Sequence, residues 1–116
     1  MYRKADPTLR RIAADFRSWG LTTVDCLEEI LKDGKPTIPV IASGGLRNGI
    51  DLAKSLALGA SLGVFARALL PAASEGVEAL HNEIEMIKRE LKIALFACGV
   101  PDIGTCSRSM IFKRND

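Results

Sequence analysis

Two continuous apolar stretches, each leading into a loop of small residues, constrain the fold of this chain more than any other feature. The first is TIPVIAS at 37–43, and the second is ASLGVFA at 60–66. Continuous rather than alternating apolarity favours parallel strands that are covered on both faces. The segment between them predicts a helix that starts at a capping-box-like pair, Asn48 and Asp51, and ends at Gly59. This order predicts parallel βα units.

Further helices are predicted on either side of these units. Asp6 can cap a first helix that has Pro7 in its first turn and ends near residues 19–20. The GLTT segment that follows has room only for a short strand. Thr23 is a candidate N-cap for a second helix, which ends at Gly34. The RALLPAAS segment at 67–74 is interpreted as a loop with about one helical turn.

The last long element is predicted to run from about Glu75 to Cys98. Apolar residues recur along it at alternating steps of three and four: Val77, Leu80, Ile84, Ile87, Leu91, Ala94 and Cys98. A stripe of this length makes a weak coiled-coil seam, so an outer helix packed on a sheet is the preferred interpretation. The charged residues of this helix are interpreted as a solvated face with partners one turn away: Glu83, Glu85, Lys88, Arg89 and Glu90.

The predicted fold class is therefore α/β, with about three βα units and parallel strands. Such units build either a doubly wound sheet or a (β/α) barrel. We expect a single domain over residues 1–116, because the chain is too short for two. Residues 1–6 and 104–116 are expected to be irregular or disordered.

Composition excludes several classes of function. A net charge of +2 without a basic stripe argues against nucleic acid, and no apolar run is long enough for a membrane span or a signal peptide. The three cysteines are odd in number and lack a C-x-x-C pair. We interpret them as reduced thiols of a cytoplasmic protein without a metal site.

The sequence SGGLRNG at 43–49 is the strongest candidate for a binding site. Gly44 and Gly45 lack a Cβ, so their backbone N–H groups can approach an anion closely. The helix that follows adds the positive end of its dipole, and Arg47 can bind two phosphate oxygens. Because the carboxyl ends of parallel strands share one rim, Ala66 and Arg67 are expected beside this loop. The alternative is a tight turn that any such fold would need.

Two other residues, His81 and Trp19, are weaker candidates for a functional role. His81 is the only histidine and lies within the long helix, which favours a surface or packing role over catalysis. Without a second histidine near the rim, no Ser-His-Asp or Cys-His arrangement can be assembled. Trp19 could stack on a ring, but anchoring a helix end is the preferred interpretation.

Three segments together resemble the C-terminal part of type 2 isopentenyl-diphosphate isomerase. They are WGLTT at 19–23, PVIASGGLRNGIDLAKSLALGA at 39–60 and ELKIALFACGVPDI at 90–103. The resemblance implies the last part of an FMN-dependent (β/α)8 TIM barrel that interconverts isopentenyl and dimethylallyl diphosphate in isoprenoid synthesis. Similar SGG-x-R-x-G loops occur in α-hydroxy-acid oxidases, so a fragment of another FMN-dependent oxidoreductase is the alternative. A non-catalytic phosphate-binding or assembly module is a third.

By position, the resemblance places the flavin phosphate against the loop from Ser43 to Arg47, which includes Gly44, Gly45 and Leu46, and against Ala66 and Arg67. Thr23 matches a threonine that contacts the flavin. Two departures lie at the rim: Thr22 replaces a proline, and Arg67-Ala68 replaces Leu-Pro. The Mg²⁺ and NADPH that the family implies have no identifiable ligands here, and no catalytic residue maps onto this chain.

A full (β/α)8 barrel needs about 250 residues. We therefore expect this part to have no turnover alone. Open sheet edges and an uncovered face also predict that it forms a homo-oligomer or associates with the remaining barrel.

Overall fold

The computed structural model describes residues 6–34 and 36–112 as an α/β arrangement that is mostly helical. Its elements are, in chain order, α1 (Pro7–Asp15), α2 (Thr23–Ile30), β1 (Ile41–Ala42), α3 (Gly49–Leu58), β2 (Leu62–Gly63), α4 (Leu70–Glu75) and α5 (Val77–Ala97), followed by two 3₁₀ turns, Ile103–Thr105 and Arg108–Met110. The predicted irregular ends therefore contain two short turns. Residues 1–5 and 113–116 lie outside the described part.

The two strands are parallel and adjacent, as the βα pattern predicts. Ile41 pairs with Leu62 and Ala42 with Gly63. Backbone hydrogen bonds extend the pairing at both ends, from Ser61 N to Val40 O at 2.8 Å and from Val64 N to Ala42 O at 2.9 Å. The carboxyl ends of both strands therefore lie side by side. This confirms the parallel α/β class, although two short strands do not by themselves make a barrel.

The strands are shorter and fewer than predicted. Each regular strand has two residues instead of the predicted seven-residue run, and the GLTT segment forms no strand in the described structure. A strand is defined by its neighbours, and an apolar run without a pairing partner along its whole length forms no regular ladder. The predicted count of three βα units was therefore wrong for the described residues.

The helix boundaries test the local sequence signals one by one. Asp6 caps α1 by accepting a hydrogen bond from Thr8 N, and Gly59 ends α3 in the left-handed region, both as predicted. The predicted cap of α2 was one residue late: Thr22, not Thr23, is the N-cap. Thr22 forms a reciprocal capping box with Asp25, which satisfies two helix-start N–H groups at once.

The second half of the chain contains two further corrections. The RALLPAAS segment contains a six-residue helix, α4, instead of a loop with one turn. The long helix α5 contacts α3 and α4 instead of lying on the sheet. Its buried side chains are Ile87 and Leu95, and only the first of these belongs to the predicted stripe.

A small core lies between α2, the strands and α3. Its buried members are Leu27, Leu31, Ala42, Leu58 and Ala60, with Val40 and Ile111 against them. By contrast, α1 has no buried residue, so its predicted apolar face is exposed. No helix in the described residues has the length and apolar character needed to cross a lipid bilayer.

Candidate functional site

A glycine loop, residues 43–48, connects β1 to α3 at the carboxyl end of the sheet. Gly44 and Gly45 both have positive φ angles, of 100° and 82°. Consecutive left-handed residues turn the chain sharply and are tolerated by glycine alone at low cost. A Cβ at Gly44 would lie 2.9 Å from Thr23 Oγ1, whereas one at Gly45 would meet open space. The loop therefore has a packed side at Gly44 and an open side at Gly45.

Thr23 fastens the start of the glycine loop. Its hydroxyl lies 2.7 Å from Gly44 O and 3.1 Å from Ser43 O, and it donates its hydrogen to these carbonyls. Thr22 is the N-cap of α2, so the hydroxyl of Thr23, the next residue, is available to contact the loop. The structure brings together three of the predicted site residues, Thr23, Ser43 and Gly44. The carbonyls point toward Thr23.

The backbone N–H groups of Gly45 and Leu46 are candidate donors to a ligand. Within residues 6–34 and 36–112, neither group donates a hydrogen bond to another residue. Gly45 is exposed, whereas Leu46 as a whole residue is buried. Two adjacent unbonded N–H groups at a glycine turn, the first of them in an exposed residue, are suited to an anion.

Arg47 is held beside these amides by Asp51. The Asp51 carboxylate accepts hydrogen bonds from Arg47 Nε at 2.9 Å and Arg47 N at 3.1 Å, with Nη2 at 3.4 Å. The Arg47 side chain is 77% exposed and that of Asp51 18%. The hydrogen bond from Arg47 lowers the pKa of Asp51, and the same contact raises the pKa of Arg47. The guanidinium is therefore oriented but keeps an accessible outer edge.

Two of the first three N–H groups of α3 donate to oxygen atoms of the chain itself. Asn48 Oδ1 accepts a hydrogen bond from Asp51 N at 2.9 Å, as its predicted cap position requires. Gly49 N donates to Glu90 Oε2 of α5 at 2.6 Å. The prediction that Glu90 belongs to a solvated face was therefore wrong. Gly49 and Glu90 are 41 residues apart, so no local sequence pattern predicts their contact. The only sequence feature that indicates a close approach is the lack of a side chain at Gly49.

The second loop, residues 64–68, lies next to the glycine loop at the same end of the sheet. The pairing of Ala42 with Gly63 sets this position, and a Cβ on Gly63 would lie 3.0 Å from Leu46 Cδ2. Ala66 and Arg67 are both exposed. Ala66 O accepts hydrogen bonds from Leu69 N and Leu70 N, each at 3.2 Å. The Arg67 side chain forms no ion pair or hydrogen bond with any described residue, so its charge is free to meet a ligand.

Neither His81 nor Trp19 forms a hydrogen bond or ion pair with a residue of the two loops in the described structure. His81 is exposed on α5, in keeping with a surface role. Trp19 packs edge-on against Phe16 at 5.8 Å, at the end of α1, and is otherwise exposed. Over the described residues, no cluster of three histidine, cysteine or acidic side chains could hold a metal ion. On α5, Glu85 pairs with Lys88 at 2.6 Å, as expected for a solvated helix face.

Comparison with known proteins identifies the class to which this fold and loop belong. The sequence profile of the FMN-dependent dehydrogenases matches residues 19–113, which is most of the chain. The chain therefore belongs to the FMN-dependent dehydrogenase family. TIM barrels are the fold of that family, and the parallel unit described here is compatible with part of one.

Individual relatives share a more specific name, isopentenyl-diphosphate delta-isomerase. The protein of that name from Methanoregula boonei is 46% identical over 104 residues, which are 90% of this chain and 28% of that protein. Its counterpart in Thermoplasma volcanium is 48% identical over 89 residues, covering 77% of this chain and 24% of that protein. The one from Archaeoglobus fulgidus is 42% identical over 107 residues, 89% of this chain and 29% of that protein. The resemblance inferred from the sequence motifs is confirmed, and the chain spans less than a third of these relatives.

Proposed function

We propose that this chain is the flavin-phosphate-binding part of an FMN-dependent isomerase that interconverts isopentenyl and dimethylallyl diphosphate. One observation carries the proposal: the N–H groups of Gly45 and Leu46 donate no hydrogen bond to a described residue, and they directly precede Arg47, whose guanidinium is oriented by Asp51. The names of the relatives supply the reaction and the substrate class. This chain itself supplies the anchoring.

The residues present fit the phosphate of FMN. A phosphate monoester at the glycine loop can accept hydrogen bonds from two amides and from the outer edge of Arg47. Arg67 and the backbone of Ala66 extend the same rim from the next loop. Ser43 and Gly44 shape the turn, and Thr23 holds it. These eight residues are the proposed cofactor site.

The reaction itself needs groups that this chain does not provide. In the proposed isomerase, reduced FMN supplies the acid–base chemistry near the substrate double bond. The role of this chain is to hold the phosphate end so that the flavin ring is fixed. Mg²⁺ and NADPH belong to the proposal only through the isomerase resemblance. We expect no turnover from this chain alone.

An FMN-dependent oxidoreductase related to the α-hydroxy-acid oxidases is the second candidate. The description of the family profile, dehydrogenase, favours it. The relatives at 42–48% identity favour the isomerase, because all three carry that name. Both candidates use the glycine loop for the same phosphate, so they differ in substrate and not in the anchoring proposed here.

Association and location complete the proposal. Exposed apolar side chains on the sheet, including Ile41 and Leu62, call for a second copy or the remaining barrel to cover them. The cysteines at positions 26, 98 and 106 form no disulfide among the described residues. Free thiols are typical of a reducing compartment, which supports a cytoplasmic location.

Binding of FMN and riboflavin tests the phosphate role directly, because riboflavin lacks the phosphate. Arg47→Ala should weaken FMN binding about tenfold or more, the cost of a hydrogen bond to a charged group, and leave riboflavin nearly unchanged. Arg89→Ala is the matched control, since Arg89 lies beside Asn82, Glu85 and Met86 on the surface of α5. Flavin fluorescence quenching measures both affinities. Equal losses for the two ligands would contradict the proposal and favour an assembly module.

A further inference from the structure

Glu90 links the long helix α5 to the point where the glycine loop becomes α3. Its carboxylate accepts a hydrogen bond from Gly49 N at 2.6 Å, in a partly buried position. A short bond from an amide to a carboxylate is stronger than a neutral one, and burial protects it from competing water. The first N–H group of α3 is therefore satisfied by a residue that is distant in sequence.

The backbone at Gly49 packs directly against the backbone of α5. A Cβ at this position would clash with Ile87 O, and it would lie 2.5 Å from Leu91 N and 2.6 Å from Glu90 Cβ. The hydrogen bond to Glu90 and this close backbone approach support each other. Together they fix the end of the glycine loop against α5.

The first turn of α3 also orients Arg47, the basic residue of the loop. Asp51 lies two residues after Gly49 and holds both the backbone N–H and the guanidinium of Arg47. A shift of the first turn of α3 would therefore move Arg47 as well. Thr23 holds the opposite end of the loop, so the open amides of Gly45 and Leu46 lie between two fixed points.

Glu90 also decides where an anion can bind. The start of a helix attracts anions through its free N–H groups and its dipole. Here the carboxylate of Glu90 occupies Gly49 N, and Asn48 occupies Asp51 N, so that of the first three amides of α3 only Ile50 N donates no hydrogen bond to a described residue. Closing two of these three donors favours binding of a phosphate at the loop amides that precede the helix.

We propose that Glu90 is a positioning residue for the glycine loop: it closes Gly49 N, the first amide of α3, to anions and holds the loop amides and Arg47 in place for a phosphate. The inference rests on the proposed flavin-phosphate site and deepens it. Glu90 touches neither cofactor nor substrate in this role. It acts through Gly49 and the first turn of α3.

Inorganic phosphate, titrated into the whole chain, tests the proposal through the backbone amide signals in NMR spectra. In the wild type, the signals of Gly45 and Leu46 should move and that of Gly49 should not. Glu90→Gln keeps an oxygen acceptor and should behave like the wild type. Glu90→Ala should expose Gly49 N, so that its signal moves with phosphate while the affinity of the loop falls about tenfold. Glu83→Ala, on the same helix, is the control for loss of one negative charge.

Glu90→Asp is a second variant for use if the alanine variant does not fold. It keeps the negative charge, but its side chain is shorter, so the carboxylate is withdrawn from Gly49 N. It should reproduce the alanine pattern. A Gly49 signal that stays still in both variants, an unchanged loop affinity, or a glutamine variant that behaves like alanine would overturn the proposal. Absence of phosphate-induced shifts at Gly45 and Leu46 in the wild type would overturn it too. If those shifts occur but FMN and riboflavin bind equally, the flavin function fails while the role of Glu90 stands.

Discussion

At the scale of single residues, the glycine loop depends on a few polar contacts that can be removed one at a time. Thr23 holds its start through the carbonyls of Ser43 and Gly44. Asp51 and Glu90 hold its end through Arg47 and Gly49. Each of the three side chains contacts backbone of the loop or of the first residue of α3, and Asp51 also contacts the guanidinium of Arg47. The loop is therefore shaped before any ligand arrives, which lowers the entropic cost of binding.

The contact between Arg47 and Asp51 predicts a specific dependence of stability on pH. Because Arg47 lowers the pKa of Asp51 in the folded chain, the pair stabilises the fold above the ordinary pKa of aspartate, about 3.9, and this contribution is lost as pH falls through the lowered value. The difference in unfolding free energy between wild type and Arg47→Gln should therefore shrink below about pH 4. Urea unfolding at several pH values measures it.

The control for this prediction is the same arginine substitution in an Asp51→Asn background. Asparagine does not ionise, so the effect of Arg47→Gln should then stay constant across the same pH range. A pH dependence that persists in the asparagine background would place the titrating group elsewhere.

Residue-scale signals in the sequence predicted the local contacts and missed the distant ones. Asp6 and Asn48 begin their helices and Gly59 ends α3, all as predicted, because capping involves neighbours within a few residues. The cap of α2 could also have been found, since Asp25 lies three residues after Thr22 and completes a capping box. Glu90 could not, because its partner is set by how α5 crosses α3.

At the scale of elements, the contact between α3 and α5 is the main packing interaction of the second half of the chain. On α3 the buried side chains are mostly small, among them Ala53, Ser55 and Ala57, which allows close approach. On α5, the buried side chains are Ile87 and Leu95. Helices approach most closely where side chains are small, and Gly49 marks that point.

Gly49→Ala should separate these two helices. The added methyl would meet backbone atoms of α5, which cannot rotate away, so we expect a loss of about 1–3 kcal/mol of unfolding free energy, the usual cost of overpacking. Lys54→Ala, at an exposed position of the same helix, should change it by less than about 0.5 kcal/mol. Thermal and urea unfolding followed by circular dichroism compare the two. Equal stability of Gly49→Ala and wild type would contradict the close approach described here.

Element types were predictable where a local pattern fixes them, and packing partners were not. The period of α5 predicted a long helix, but its buried side chains include Leu95, which lies outside the predicted stripe. The strands, by contrast, were predicted to be too long. Apolar runs of seven residues predicted full strands, yet only the paired dipeptides Ile41–Ala42 and Leu62–Gly63 form a ladder. Pairing requires a neighbouring strand, which a local pattern cannot supply.

At the scale of the whole molecule, the chain exposes far more surface than a compact protein of its mass. Its accessible surface is 9633 Å², against about 6,200 Å² for a folded monomer of 12.5 kDa. The sheet contributes directly: Ile41 and Leu62 are paired on one face and are 54% and 57% exposed. Parallel sheets are normally covered on both faces. The excess is in the range that obligate interfaces bury.

We therefore expect the isolated chain to associate. Sedimentation velocity at micromolar concentration should show species heavier than 12.5 kDa. Leu62→Glu should shift the distribution toward monomer, because a charge on the bare face of the sheet opposes its burial. Ala73→Glu, at an exposed position of α4, is the matched control and should leave the distribution unchanged. A strictly monomeric wild type that unfolds cooperatively in calorimetry would contradict this expectation.

The central claim is that the glycine loop and the second loop bind the phosphate of FMN, and amide NMR signals of the wild-type chain test it most directly. Titration with FMN should move the signals of Gly45, Leu46, Ala66 and Arg67, whereas the same titration with riboflavin should leave these four in place. Shifts that are equal for both ligands, or that occur only at the exposed apolar residues of α1 and the sheet, would contradict the claim.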